Sequence, residues 1–383
     1  MKANNTQLSL VITTLALAIN TSFSQSASAA TLYSVLDLGV VSGIDTVDAI
    51  DVNDLGQVLG ESGNIEDGPI TFRTVPNRPI NPATDIVEVR ADDVTFSKDL
   101  NNSGQVVGII LGGSRTTSGF ITEPNGLITT GLFPIQEVVA INNLGQAIGS
   151  SSFCISFDCR IRGSEPIRIN PDGTTSSLFA LDREAANGRL SGGAINDLGQ
   201  VATSSYRSAP NSQINPETDD IGSLGGGGTS GLDINNLGQV VGSSTTTSGE
   251  TRAFRTTANS AINLETDDLG TLGGNDSVAN AINELGQVVG YSELANGDVR
   301  AFLFDENTMF DLNDLVAGDV DFTFTEAVGI NESGQIAVNG FFGNDSQNSR
   351  AFLLTPVPEP TSMLGVLAFG AGAGILRRRA KRV

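Results

Sequence analysis

The sequence predicts an all-β fold assembled from seven copies of one hairpin-centred unit, and three observations lead there. The chain has 45 glycines and 13 prolines, and only 5% of its 383 residues are aromatic. This balance favours short strands joined by many turns over long helices. A twelve-residue phrase built around a Gly-Gln pair recurs seven times, and 39% hydrophobic residues suffice to bury a core of one large or two modest domains.

The phrase is centred on Gly56, Gly104, Gly145, Gly199, Gly238, Gly286 and Gly334, with spacings of 48, 41, 54, 39, 48 and 48 residues. Each copy reads as a hairpin. In the sixth, Ala279–Asn283 is a short alternating strand, Asn283-Glu284-Leu285-Gly286 turns, and Gln287–Tyr291 returns. The glycine is expected to supply positive φ. The asparagines Asn53, Asn142, Asn196, Asn235, Asn283 and Asn331 are expected to hold the turn through a bond to the backbone two residues on.

A second phrase reads as a third strand: Arg252-Ala253-Phe254, Arg300-Ala301-Phe302, Arg350-Ala351-Phe352 and a looser Gly119-Phe120-Ile121. A fourth segment precedes the next hairpin at Asp220–Leu224, Asp268–Gly274 and Thr308–Leu312. Four strands per repeat is the unit of a β-propeller, and the periods fit its blades. Ser34–Gly39 matches the fourth strand, whereas the last repeat stops at its third, Phe352-Leu353-Leu354. The expected fold is therefore a β-propeller of about seven four-stranded blades, with the N-terminal strand closing the last blade and removing two exposed edges. An open solenoid is the rival, and the uneven spacing argues against it.

These repeats resemble the extracellular HAF family, named for a His-Ala-Phe phrase that accompanies Gly-Gln hairpins and Asp-Leu-Gly-Thr-Leu-Gly-Gly segments. The resemblance covers about residues 31–355. Arg252, Arg300 and Arg350 stand where that family has histidine, so no imidazole role carries over; the phenylalanines suit a core position.

Both ends read as addresses. Lys2, the apolar run Leu8–Ile19 and Ala27-Ser28-Ala29-Ala30 have the order of a secretory signal over residues 1–30. Residues 356–383 hold Pro358, Glu359 and Pro360, then the sixteen mostly small or apolar residues Thr361–Leu376, then Arg377, Arg378, Arg379, Lys381 and Arg382. As a transmembrane helix the middle part would rise about 24 Å, with the basic cluster held on the cytoplasmic side. An ordinary tail anchor is the alternative, but the three-part order resembles the PEP-CTERM sorting signal. That resemblance implies recognition of Pro358-Glu359-Pro360 by an exosortase, a membrane transpeptidase, and delivery to the cell surface or exopolysaccharide layer.

Composition excludes more function than any motif supplies. Between the leader and the basic tail, 15 basic residues face all 43 acidic ones, a net charge of −28, so neither nucleic acid nor an anionic lipid surface is an expected partner of the body. Histidine is absent, which removes the usual general base and the commonest metal ligand. Cys154 and Cys159 are the only cysteines, and in an exported protein a local disulfide is expected. Asp51–Gly56 is a poor match to a calcium loop; Glu217–Asp220 and Glu265–Asp268 cluster carboxylates better, although solvated turns are the expected reading and calcium the alternative. Gly225–Gly231 lacks the lysine and helix of a phosphate loop and is expected to be a flexible connection. The expected function is a non-catalytic exported surface or matrix repeat protein that binds through its loops, with exopolysaccharide or another matrix polymer as ligand. A propeller-type glycan hydrolase or lyase working with channel carboxylates is the alternative.

Overall fold

A computed structural model describes residues 31–41, 46–63, 69–87, 94–112, 117–128, 135–154, 162–179, 192–316, 321–343 and 348–358. The predicted leader, Glu359 and Pro360, the predicted transmembrane helix and the basic cluster lie outside the described residues, as does Cys159. Among the described residues no helix is long and apolar enough to cross a membrane.

The fold is all-β. Strand β1 (Tyr33–Asp37) is followed by seven hairpin units, which form seven separate sheets of three or four strands. The first sheet contains β2 (Val47–Val52), β3 (Val58–Ser62) and β4 (Ile70–Arg73). The second contains β5 (Val94–Leu100), β6 (Val106–Leu111) and β7 (Thr117–Ile121), and the third β8 (Ile135–Ile141), β9 (Ala147–Cys154), β10 (Arg162–Ile169) and β11 (Thr175–Ser177). The fourth is short, β12 (Ala194–Ile195), β13 (Val201–Thr203) and β14 (Tyr206–Arg207). The fifth has β15 (Gly225–Ile234), β16 (Val240–Thr246) and β17 (Thr251–Arg255). The sixth has β18 (Gly273–Ile282), β19 (Val288–Leu294), β20 (Val299–Asp305) and β21 (Thr308–Asp311), and the seventh β22 (Phe322–Ile330), β23 (Ile336–Phe342) and β24 (Arg350–Pro356).

The seventh sheet takes its fourth strand from the other end of the described chain. β1 pairs antiparallel with β24, from Tyr33 opposite Pro356 to Asp37 opposite Phe352. Tyr33 is 1% exposed and packs among Leu303 of the sixth sheet and Phe324, Val338 and Phe352 of the seventh.

Seven apolar clusters hold the sheets together, one between each consecutive pair. Ala337, Ala351 and Leu353 of the seventh sheet meet Val47, Val58 and Phe72 of the first, so the series of seams returns to its start and the arrangement is propeller-like. The third-strand phenylalanines Phe120, Phe254, Phe302 and Phe352 are each at most 1% exposed. Burying each side chain is worth about 1.5–3 kcal/mol.

Two expectations are corrected. Among the described residues, four of the sheets have three strands rather than four. In the first, fourth and fifth sheets the predicted outer strand shrinks to one bridge, Phe72 to Ile86, Tyr206 to Asp220 and Phe254 to Asp268. The physical reason is the tight Asn-x-x-Thr-Asp loop just before it, in which Asp85, Asp219 and Asp267 accept the amides of Asn81, Asn215 and Asn263 at 2.8, 2.9 and 2.9 Å. That closure leaves only a few residues to lie extended. Secondly, Gly225–Gly228 is the start of β15, not a loose connection. The glycines let the strand press against β16, where a Cβ on Gly226 would collide with the Thr246 carbonyl.

Candidate functional site

The first strand of each unit lines a central channel, and a bulge decides what it points there. In six of the sheets the register against the second strand shifts just before the same position, between Ala49 and Asp51, Ser97 and Asp99, Val138 and Ala140, Gly231 and Asp233, Ala279 and Ala281, and Ala327 and Gly329. A bulge re-aims the side chain that follows. Asp51, Asp99 and Asp233 line the cavity of about 190 Å³ at the centre of the ring.

Just beyond this position two closed circuits of hydrogen bonds run round the channel. Each turn asparagine donates its Nδ2 to the main-chain carbonyl of the next one, in the order Asn53, Asn101, Asn142, Asn196, Asn235, Asn283, Asn331 and back to Asn53, at 2.8 to 3.3 Å. The same side chain makes the turn: Asn53 Oδ1 accepts the amides of Leu55 at 3.1 Å and Gln57 at 3.0 Å. The residue after each asparagine forms the second circuit. Asp54, Asn102, Asn143, Asp197, Asn236, Glu284 and Glu332 each donate a main-chain amide to the side-chain oxygen of the next, at 2.8 to 3.0 Å, and Glu332 closes the circuit on Asp54.

The turn glycines Gly56, Gly104, Gly145, Gly199, Gly238, Gly286 and Gly334 have φ between 70° and 77°. The two circuits therefore bring all seven hairpin tips to one end of the channel.

The buried aspartates are tied into the same ring. Asp99 accepts the amides of Leu100 and of Ile141 in the next sheet, each at 2.7 Å. Asp233 likewise accepts Ile234 at 2.7 Å and Ile282 at 2.9 Å. Asp51 accepts Val52 at 2.7 Å, but the amide it would reach in the next sheet, that of Leu100, is already held by Asp99. Its side chain meets the Asp99 carboxylate instead. Burial, then the Asp99 charge, pushes the Asp51 carboxyl well above the usual carboxylate range. Burial also raises Asp99 and lifts Asp233 to about 6.

Other predicted sites lie apart from the channel. In the calcium candidates, Asp219 and Asp267 also accept Thr218 and Thr266 hydroxyls at 3.1 and 3.0 Å, and Asp220 and Asp268 each accept a glycine amide at 2.8 Å. Those oxygens are engaged by their own turns. Among the described residues no group of three or more Cys, Asp or Glu side chains is placed to hold a metal. Cys154 ends β9. Arg252 and Arg300 pair with Glu250 at 2.9 Å and Asp298 at 3.3 Å, and Arg350 lies 3.9 Å from Asp37. Pro358 is exposed at the end of the described chain.

Sequence reasoning missed the channel acids, since which alternate face of a bulged strand points inward is set by the bulge. It read the asparagines as turn-makers and missed their links between sheets. The signal available was the recurrence of Asp, Ala or Gly two residues before each of them.

No family model matches the chain, and no curated protein matches it. Among solved structures it is similar to a gluconolactonase from Xanthomonas campestris, at 10% identity and TM-score 0.39 over 86% of this chain and 92% of that one. It is similar to the six-bladed fucose-recognising lectin of Aleuria aurantia, at 10% identity and TM-score 0.36 over 82% and 96%. A lectin from Burkholderia pseudomallei gives 9% identity and TM-score 0.31 over 82% and 99%. No ligand or activity is carried over at these values.

Proposed function

We propose that this chain is an exported, non-catalytic interaction protein of the cell surface or extracellular matrix. Its body is a closed seven-bladed β-propeller completed by the N-terminal strand, and residues 356–383 are a PEP-CTERM-type sorting segment processed by an exosortase-type transpeptidase. The ligand class we assign is exopolysaccharide or a similar matrix polymer, engaged by the variable loops.

One observation carries the non-catalytic reading. All seven channel carboxylates serve as acceptors within the ring itself: Asp51, Asp99 and Asp233 for the amides that follow them, and Asp54, Asp197, Glu284 and Glu332 for amides of the mouth circuit. Asp51 and Asp99 are in direct hydrogen bond, closer than the ~5–9.5 Å at which two carboxyls flank a glycosidic bond. The cavity, about 190 Å³, is also below the roughly 300–1,000 Å³ of ordinary ligand sites.

A glycan hydrolase or lyase remains the second reading, favoured by the raised carboxyls in the channel, the pattern expected of general acids. The test is to incubate the exported protein, purified from the cell surface, with the polymer. The interaction reading expects co-sedimentation without released oligosaccharide. Release that disappears in Asp99→Asn establishes the enzyme instead.

A further inference from the structure

Five leucines occupy one position in five hairpin tips, next to the mouth circuit. Leu55, Leu144, Leu198, Leu237 and Leu285 are 53, 62, 47, 52 and 73% exposed. The turn does not need them. In the second and seventh sheets the same position is Ser103 and Ser333, whose hydroxyls bond Asn101 Oδ1 and Asn331 Oδ1 at 2.8 Å, and Gly104 and Gly334 keep the same φ of 75°. Apolar side chains set around one face with no structural duty point to something that covers them.

The path of the chain identifies the cover. β24 ends at this face: Thr355 Oγ1 accepts Gln335 Nε2 at 3.1 Å, and Pro356 lies 3.2 Å from where a Cβ on Gly334 would stand. The Val357 amide then bonds the Leu32 carbonyl at 2.8 Å, so the two ends of the described chain lie side by side here. After Pro358 only Glu359 and Pro360 precede the apolar run that begins at Thr361, a reach of about 10 Å when extended.

We propose that this hairpin-tip face is the surface the body presents to a lipid bilayer while residues 361–376 are inserted, with the five leucines entering the headgroup region. The proposal rests on the sorting-segment reading above. The tips carry Asp54, Asp197, Glu284 and Glu332, while Arg73, Arg168 and Arg255 donate to the tip carbonyls of Gly104, Gly199 and Gly286, so the face holds both signs. The body as a whole is strongly acidic, and the fitting lipid is zwitterionic.

The chain has no tryptophan, so a single introduced indole reports one place. The full chain carrying Leu285→Trp, or Ala295→Trp in the exposed turn at the far end of β19 as the opposite-face control, is reconstituted into phosphatidylcholine vesicles containing brominated acyl chains. Protease protection of the C-terminus is read in the same sample. With the tail protected, emission from Leu285→Trp is expected to fall at least two-fold and that from Ala295→Trp to stay unchanged. Equal quenching of both, or of neither, with a protected tail overturns the proposal and leaves the sorting reading standing. A tail open to protease overturns both. The acidic body opposes an anionic surface, so phosphatidylglycerol vesicles that quench Leu285→Trp more strongly than phosphatidylcholine would overturn the assignment of a zwitterionic lipid.

Discussion

The Asp51 carboxyl hydrogen-bonds the Asp99 carboxylate across the seam between the first and second sheets. Where an alanine follows round the ring, as Ala140 follows Asp99 and Ala281 follows Asp233, the aspartate reaches a free amide in the next sheet. Where an aspartate follows an aspartate, the amide is taken and a proton has to bridge the two.

This arrangement sets the direction of the pH dependence. Asp51, Asp99 and Asp233 all have folded values raised above the ordinary 3.8. The folded state therefore holds protons more tightly, and the associated stability is complete below about pH 4 and is lost as pH rises through the folded values. For Asp233 the window runs from 3.8 to about 6. Denaturant unfolding monitored across that window is expected to show stability falling as pH rises, against the acid denaturation of the other carboxylates.

Asp51→Asn keeps both bonds without a titrating proton, since an amide accepts from Val52 through oxygen and donates to Asp99 through nitrogen. At pH 7 it is expected to stabilise the protein by about 1 kcal/mol and to flatten the pH slope. Urea titrations at pH 5 and pH 7 check it; an Asp51→Asn protein less stable than the parent at pH 7 would show that the shared proton is absent.

Asn142 is 4% exposed and makes the turn and the seam bond with one side chain. Asn142→Ala is expected to cost about 2–4 kcal/mol. Asn142→Asp keeps the turn acceptor and removes the donor to the Asn196 carbonyl and to Gln146 Oε1, so exchange protection of the turn amides Leu144 and Gln146 should survive while the seam weakens.

Two glycines separate conformational strain from crowding. Gly286 has φ of 77°, and a Cβ there would meet nothing nearer than 3.5 Å, so Gly286→Ala is expected to cost only about 1–2 kcal/mol. Gly242 has ordinary φ, but its Cβ would collide with the Ser230 carbonyl at the bulge. Gly242→Ala is expected to cost more, about 2–4 kcal/mol, by thermal or denaturant unfolding.

Tyr33 is 1% exposed, in a strand whose pairing partners lie some 320 positions later in the sequence. Tyr33→Ala is expected to cost about 3–5 kcal/mol and to expose the β24 edge, read as faster proteolysis between Ser34 and Asp37 and as concentration-dependent association.

Much of this fold is legible in the sequence because the hairpin is local. Asn53, Gly56 and Gln57 sit within one turn, so their recurrence marks the unit, and the match of Ser34–Gly39 to the missing strand anticipates the pairing of β1 with β24. The site is not local. Asp51 and Asp99 meet because bulges rotate both inward and because their sheets are neighbours, neither of which spacing reveals. The outer strands are over-read for a similar reason: Asp219 and Asp267 look like free carboxylates in sequence, but they close the loops that cut those strands short.

In the function proposed above, a removable C-terminal segment delivers the body to the surface. The most direct test of that delivery is the intact mass and C-terminal peptide of the surface-displayed protein. A mature chain that ends near Pro360, without Arg377, Arg378, Arg379, Lys381 and Arg382, is the predicted result. A displayed chain that still carries the basic cluster would contradict it.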